Sequence, residues 1–433
     1  MTIAAFDGLL TRPGDAGYDS GRAVWNAMVD RRPALIARCA STADVVAALR
    51  YGRDAGLEIG VRCGGHSFLG LPVVEGGLLL DLSGLNSVQV DPVSRRARVG
   101  GGALLGALDV ASQRYGLATT AGNVSHTGVG GLTLGGGVGW LARAYGLTCD
   151  NVVSYQLVTA DGAVLRVSET SHPELFWGLR GGGGSFGVVT EFEFRLHPAG
   201  TQALTVDLFY DLDDGGTALR GWRDLFAEAP RAATPVARVG RRDGRPIASI
   251  GYVWVGDVEE GLRLLPSYQA IGRPIRQAVR ELSYLDLQTQ SDDDERHALR
   301  RYCKGHYLRS LPDAAIDAFL SRDLPGARMT LNGGAIGDVP DDATAYSHRD
   351  ALVEFTTGDD WTDPAEDADR ISAARAYAGT LEPYTSGSYV NTLADDDPAA
   401  VHRAYSAEKL TRLRDLKSAY DPANTFNQTP LKC

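Results

Sequence analysis

The run Val61-Arg62-Cys63-Gly64-Gly65-His66-Ser67-Phe68-Leu69-Gly70 offers the most reactive arrangement in the chain. Its imidazole stands between small residues at a loop tip, with nothing bulky to stop the ring reaching a ligand. Consecutive backbone amides of such a loop are free to face a pyrophosphate, and Arg62 adds a permanent charge. A second run, Gly122-Asn123-Val124-Ser125-His126-Thr127-Gly128-Val129-Gly130-Gly131-Leu132, continues through Gly135, Gly136, Gly137 and Gly139 to Trp140. Few packed elements tolerate so many residues without a Cβ, so this is backbone laid against a flat, elongated ligand. A third run, Phe176 to Gly187, contains G-x-G-x-x-G at Gly182, Gly184 and Gly187. A nicotinamide-dinucleotide fingerprint needs a strand before it and a helix after it. Here a helix precedes and a strand follows, which excludes that reading.

The elements around these loops follow from periodicity and punctuation. Ser41 and Asp44 resemble a capping box ahead of Val45, Val46 and Leu49, which predicts a helix to about residue 55. Strands are expected at 58–61, 78–82, 88–90 and 97–99, and a helix at 103–115. Residues 151–159 and 163–167 flank Asp161-Gly162 as a hairpin. Pro173 opens a short helix to residue 180, and 188–196 alternates as a strand. From about residue 201 the glycine clusters stop. Strands are expected at 203–210, 247–255, 329–336 and 351–356, helices at 217–227, 259–270, 314–321 and 364–381, and a last helix at about 398–419. The acidic runs 292–295 and 395–397 read as solvated turns.

The chain has 433 residues, 44% apolar and 22% charged, the profile of a soluble protein with two large lobes. With 43 basic and 54 acidic residues its net charge is −11, which argues against nucleic-acid partners. Five scattered cysteines, Cys39, Cys63, Cys149, Cys303 and Cys433, form no C-x-x-C pair and are expected to be reduced, with no structural metal site. The first residues lack a basic start and an apolar run, and no stretch of ~20 apolar residues exists. The expectation is a cytoplasmic protein with no membrane partner. Oligomeric state leaves no trace in the sequence.

The stretch from about Pro13 to Pro198 resembles the FAD-binding domain of berberine bridge enzyme-like oxidases, of the vanillyl-alcohol oxidase/para-cresol methylhydroxylase superfamily. The residues that carry the likeness are Arg62 to Gly70, Gly128 to Trp140, Tyr145-Gly146-Leu147, Asp150-Asn151 and Leu175 to Val189. Tyr389-Val390-Asn391 and Tyr420 to Phe426 extend it to the C-terminus. The resemblance implies an α+β fold. Residues 1–198 would form a PCMH-type FAD-binding domain of two α+β subdomains. Residues 199–384 would form a substrate domain with an antiparallel sheet flanked by helices, and 385–433 would return to the first domain. His66 matches the histidine that bonds to the flavin 8α-methyl carbon. Many relatives add a cysteine link at the position of Val124, so a single bond is expected. The family places Gly64, Gly65, Ser67, Gly128, Gly131, Gly136, Val189, Tyr389 and Asn391 near FAD. The same loops add Arg62, Cys63, Gly70, Gly122, Asn123, Thr127, Gly130, Leu132 and Gly137, and the last segment adds Asn427. Thr127 matches a position where side-chain bulk limits oxygen access, and its size favours an oxidase.

The resemblance breaks at the proton acceptor. Relatives read Tyr-x-Asn-Tyr, where the second Tyr takes the substrate proton; here the run is Tyr389-Val390-Asn391-Thr392. A threonine hydroxyl is no base at neutral pH. Glu354, Tyr389, His306 and Tyr346 are the candidate catalytic residues, with Tyr302 behind them. The expected activity is hydride transfer from a small organic substrate to flavin, with O2 as the second substrate, in secondary metabolism. A dehydrogenase, cyclase or oxygenating enzyme of natural-product biosynthesis is the alternative, and a non-catalytic flavin binder a remote one. The second domain has no run of positive charges, which argues against a strongly anionic substrate.

Overall fold

The computed structural model describes residues 3–321, 326–395, 398–429 and 431. Cys433, Asp396 and Asp397 lie outside the described residues.

The first half builds two sheets. Leu9–Thr11, Leu35–Arg38, Leu78–Asp81 and Ile59–Arg62 form a four-stranded sheet in that order, its last three strands parallel. Burial of Leu78, Leu79 and Leu80 on both faces is what a parallel strand demands. Helix Thr42–Asp54 covers this sheet, and Ser41 caps it by accepting from the Asp44 amide at 3.1 Å. The second sheet is antiparallel, in the order Val88–Asp91, Arg96–Gly100, Val188–Arg195, Val152–Val158, Val164–Ser168. Both sheets end at the glycine loops, because strands Ile59–Arg62 and Arg96–Gly100 run straight into Cys63-Gly64-Gly65 and Gly101-Gly102.

The second half folds around one seven-stranded antiparallel sheet. Its order is Arg276–Ser283, Gln202–Asp211, Arg245–Val255, Ala233–Arg242, Ala327–Leu331, Val353–Trp361, Arg300–Leu308. Helices Leu212–Asp224, Asp313–Phe319 and Asp367–Leu381 seal one face over Trp222, Phe319, Phe355 and Tyr377. The other face meets the first half, where Val236 and Val253 pack on Trp140 and Leu141. Helix Ala407–Tyr420 returns to the first half, with Leu410, Leu413 and Leu416 joining the core of Phe176 and Phe186. The α+β fold expected from the sequence is the fold observed.

Local expectations fail where a breaker or an unrecognised alternation intervenes. The helix expected at 259–270 is two, Val258–Leu262 and Leu265–Gln269, because Pro266 cannot continue the first. The helix expected from residue 398 breaks at Ser406, which caps Ala407–Tyr420 by accepting from Lys409 N. The strand expected at 329–336 stops at Leu331, ahead of Gly333 and Gly334 with positive φ. Strands Ala233–Arg242, Arg276–Ser283 and Arg300–Leu308 were not anticipated, since charged residues interrupt their apolar pattern. The acidic run at 292–295 is not simply solvated: Asp292 accepts from Ser125 N and Oγ, and burial raises the Glu295 pKa. Asp395 is likewise tied, accepting from the Tyr302 hydroxyl and pairing with Lys304 and Arg375.

Candidate functional site

A cleft of about 360 Å³ runs between the two sheets of the first half, within the size range of cofactor sites. All three glycine runs reach it, as Cys63, Gly64, Gly65, His66 and Ser67, then Thr127, Gly128, Gly130, Gly131 and Leu132, then Gly183, Gly184 and Gly187. Val189 and the returning Asn391 complete the wall. The absence of side chains is structural. A Cβ on Gly64 would lie 2.3 Å from Gly128 N, so the first two loops touch backbone to backbone. A Cβ on Gly131 or Gly183 would meet nothing within 4 Å, because there the backbone faces open cleft. A cradle of bare amides facing an open, largely apolar trough fits a dinucleotide whose phosphates need N–H donors and whose rings need flat walls.

Several residues expected at the cofactor do not line this cleft. Arg62 is held by Asp81 at 2.9 Å and by the Ala23 carbonyl at 3.0 Å, which turns its charge into the protein. Gly70 packs against Val29, and Gly122 against Leu105 and Leu132. Asn123 lies beside Gly139, where its Oδ1 is buried without a partner among the described residues. Gly136 backs onto the Tyr346 ring, where a Cβ would come within 2.6 Å. Gly137 N donates to the Tyr389 hydroxyl at 2.8 Å. Asn427 donates to Glu58 at 3.1 Å on the surface. The cleft residues Gly101, Gln428 and Thr429 were not anticipated, and nor were individual members of the third glycine run. That run carried the signal in its composition, but its rejected fingerprint did not say which glycines would face a ligand.

His66 lies on the cleft wall, stacked on Trp25 at 4.8 Å. Its Nε2 is hydrogen-bonded to His126 Nδ1 at 2.8 Å, and its Nδ1 lies 3.4 Å from the Thr127 hydroxyl. Burial, then the neighbouring His126 and His297, push the His66 pKa down to about 2, so the ring is neutral with a lone pair available. The ligating nitrogens of His66, His126 and His297 lie within 4.8 Å of one another. Three imidazoles at that spacing are competent ligands for a transition-metal ion, which no spacing in the sequence signals.

The sheet brings Glu354, Tyr346 and Tyr389 together with Tyr307. The Tyr307 and Tyr346 hydroxyls are hydrogen-bonded at 2.6 Å, and the Tyr389 ring lies 6.2 Å from Tyr346 and 6.4 Å from Tyr307. Glu354 stands opposite Tyr307 in the sheet register and is only 7% exposed. Burial raises its pKa, opposed by the charge of Arg328. The Tyr389 hydroxyl accepts from Gly137 N and from Asn391 Nδ2, both at 2.8 Å. Burial nevertheless raises its pKa. Tyr307 escaped the sequence reading because its strand was not recognised. His306, one residue earlier, points to the opposite face. It stacks on Phe355 and lies 3.2 Å from the Ala378 carbonyl under helix Asp367–Leu381, so it cannot touch a ligand in the cleft. Tyr302 follows the same parity and meets Asp395 and Arg375. Thr392 donates to the Tyr389 carbonyl at 2.9 Å.

Comparison with known proteins places this geometry. Residues 33–168 match an FAD binding domain model, and residues 388–430 match the berberine and berberine like model. The chain is 31% identical to (R)-6-hydroxynicotine oxidase of Paenarthrobacter nicotinovorans, over 98% of this chain and 96% of that one. The structure of 6-hydroxy-D-nicotine oxidase from Arthrobacter nicotinovorans superposes with a TM-score of 0.89 at 28% identity, covering 99% of each chain. Glucooligosaccharide oxidase from Acremonium strictum, described with a 6-S-cysteinyl, 8α-N1-histidyl FAD, superposes at 0.87 with 26% identity over 100% and 99% of the two chains. The cleft, the cradle and these similarities together make the chain an FAD-dependent oxidoreductase of the berberine bridge enzyme-like oxidase family.

Proposed function

We propose that the chain carries its FAD on a single bond to His66, oxidises a small organic donor in secondary metabolism, and returns the electrons to O2. Bound FAD supplies the two-electron acceptor. The relatives are named for hydroxynicotine and glucooligosaccharide oxidation, which supports a small organic donor here. The reading rests on one observation: a neutral, half-buried imidazole, oriented by His126, sits on the wall of a trough built from three glycine runs. Val124 stands where a second, cysteinyl link would need a thiol.

The residues divide the remaining work. Glu354 takes the substrate proton. Burial raises its pKa, which makes it a stronger base, while the charge of Arg328 favours the ionised form. Tyr389 accepts two hydrogen bonds, so its own O–H is left to donate to a substrate heteroatom. The Tyr307–Tyr346 pair holds that ring in place. Thr127 leaves room for O2.

Acid precipitation of the purified protein tests the link. Yellow colour should stay with the polypeptide and should leave it in His66→Ala. Anaerobic photometry tests the activity: a donor should bleach the flavin and air should restore it at once, with one peroxide formed per turnover. Slow recovery in air would make the enzyme a dehydrogenase. A colourless polypeptide would remove the covalent bond from the account.

A further inference from the structure

A second cavity, of about 120 Å³, lies on the face of the seven-stranded sheet that meets the first half. Arg238, Arg280 and Arg328 line it together with Asp207. The three arginines come from three strands, and the register sets Arg238 directly opposite Arg328. Like charges opposed across a pair of strands are unfavourable unless an anion lies between them. Among the residues lining the cavity, Asp207 is the one carboxylate beside three guanidinium groups. Asp207 lies 2.9 Å from Arg238 and 3.8 Å from Arg280, and among the described residues the Arg328 side chain makes no hydrogen bond or ion pair. Two further donors lining the cavity are also unsatisfied. The Trp140 indole Nε1 and the Thr205 hydroxyl are buried with no hydrogen-bond partner among the described residues, although the two side chains are only 9% and 4% exposed. A buried donor left unpaired costs more than a typical hydrogen bond gains, so such groups signal a missing partner. Every unmet group here is a cation or is able to donate a hydrogen bond.

Arg328 also connects this cavity to the candidate base. Its charge acts on Glu354 and Glu295 as well as on Arg238. In the register Arg328 stands opposite Thr356 and Thr330 opposite Glu354, so a group bound at Arg328 is on the same sheet face as, and one diagonal step from, the carboxylate proposed to take the substrate proton.

We infer that this cavity holds an oxyanion of the substrate, a carboxylate or a phosphate, and that the enzyme oxidises organic anions. The guanidinium groups offer forked N–H pairs that match either oxyanion. The sequence showed no run of positive charges here because the three arginines are 42, 48 and 90 residues apart in pairwise separation and only the sheet collects them. The inference rests on the flavin-oxidase reading for the reaction, though not for the binding of the anion.

The test uses the flavin-loaded protein at constant ionic strength, with chloride replaced stepwise by inorganic phosphate or by benzoate. Binding is read from thermal midpoints and from the flavin absorbance. Saturable stabilisation is expected in the wild type with at least one of the two anions, and the preferred one distinguishes phosphate from carboxylate. Arg328→Met should weaken it by about tenfold or more, and Arg328→Lys should retain part of it. Arg328→Met relieves a cation–cation contact, so it should fold. Phosphate also stabilises proteins by exclusion, which the variant measures directly. Equal increments in wild type and Arg328→Met, or no saturable binding, overturn the inference. In the anaerobic donor screen, acid or phosphorylated donors should bleach the flavin faster than their neutral counterparts, and Arg328→Met should lower kcat/KM for the acidic donors more than for the neutral ones. A neutral donor that bleaches as well as its acidic counterpart also overturns it. A yellow protein indifferent to both anions sinks this inference alone, whereas a colourless one sinks the flavin link and leaves the midpoint measurement to decide the cavity.

Discussion

Asp109→Asn should stabilise the protein at pH 8 and do little at pH 4. Asp109 lies on helix Leu105–Gln113, fully buried where the first half meets helix Tyr284–Thr289. Gln288 Nε2 donates to its Oδ2 at 3.2 Å and the Tyr284 hydroxyl to its Oδ1 at 3.5 Å, while Gln288 Oε1 has no partner among the described residues. Two long hydrogen bonds do not replace lost hydration, so burial raises the carboxyl from its ordinary 3.8 to about 7. The folded state then binds a proton that the unfolded chain releases at lower pH. Stability from this group is present in full below pH 3.8 and is lost as pH rises through about 7. A rise of roughly three pH units at 1.36 kcal/mol each sets a ceiling of about 4 kcal/mol. The amide in Asp109→Asn copies the protonated acid in shape and cannot ionise. Urea unfolding of both proteins between pH 4 and 8, followed by tryptophan fluorescence, gives the difference in stability at each pH. It should grow with pH and level off above about 7. A difference that stays constant over that range would refute the buried-proton reasoning, and so would one that shrinks as pH rises.

Glu354→Gln should slow anaerobic flavin reduction by roughly 10²–10⁴-fold with the flavin still bound, the usual loss for a general base. In the wild type, that rate should climb with pH through the raised Glu354 pKa and reach a plateau, since only the ionised form accepts a proton. A pH-independent rate in stopped-flow assays would assign the proton to another group. His126→Ala should slow formation of the His66 link by roughly tenfold or more, measured as flavin retained after acid precipitation over time, because it removes the partner of His66 Nε2. FAD should still bind reversibly through the untouched glycine loops. Arg349→Met leaves Asp150 buried without the partner that now meets both its oxygens, at 2.6 and 3.0 Å. The two side chains are 2% and 7% exposed, so the loss should be about 3–5 kcal/mol in denaturant unfolding.

The glycine runs and the imidazole at the tip of the first were legible because they are local facts. A backbone that must approach a ligand removes its Cβ atoms wherever it folds, and a loop between a strand and Gly-Gly leaves few choices for the residue at its tip. Breakers such as Pro266 and caps such as Ser41 and Ser406 also act within a few residues of themselves. What the tertiary structure decided was which side of a strand each residue takes and what it meets there. His306 and Tyr307 are adjacent in sequence and equally suited to proton transfer. A period of two puts one under a helix and the other against Tyr346 and Tyr389. Arg62 carries a charge at the right loop, yet Asp81, brought beside it by the parallel register, turns that charge inward. Arg238, Arg280 and Arg328 are scattered in the chain and become neighbours only when hydrogen-bonded strands bring them onto one face. Sequence fixes what a residue is able to do, whereas pairing across a sheet sets its partners, because those partners lie tens of residues away along the chain.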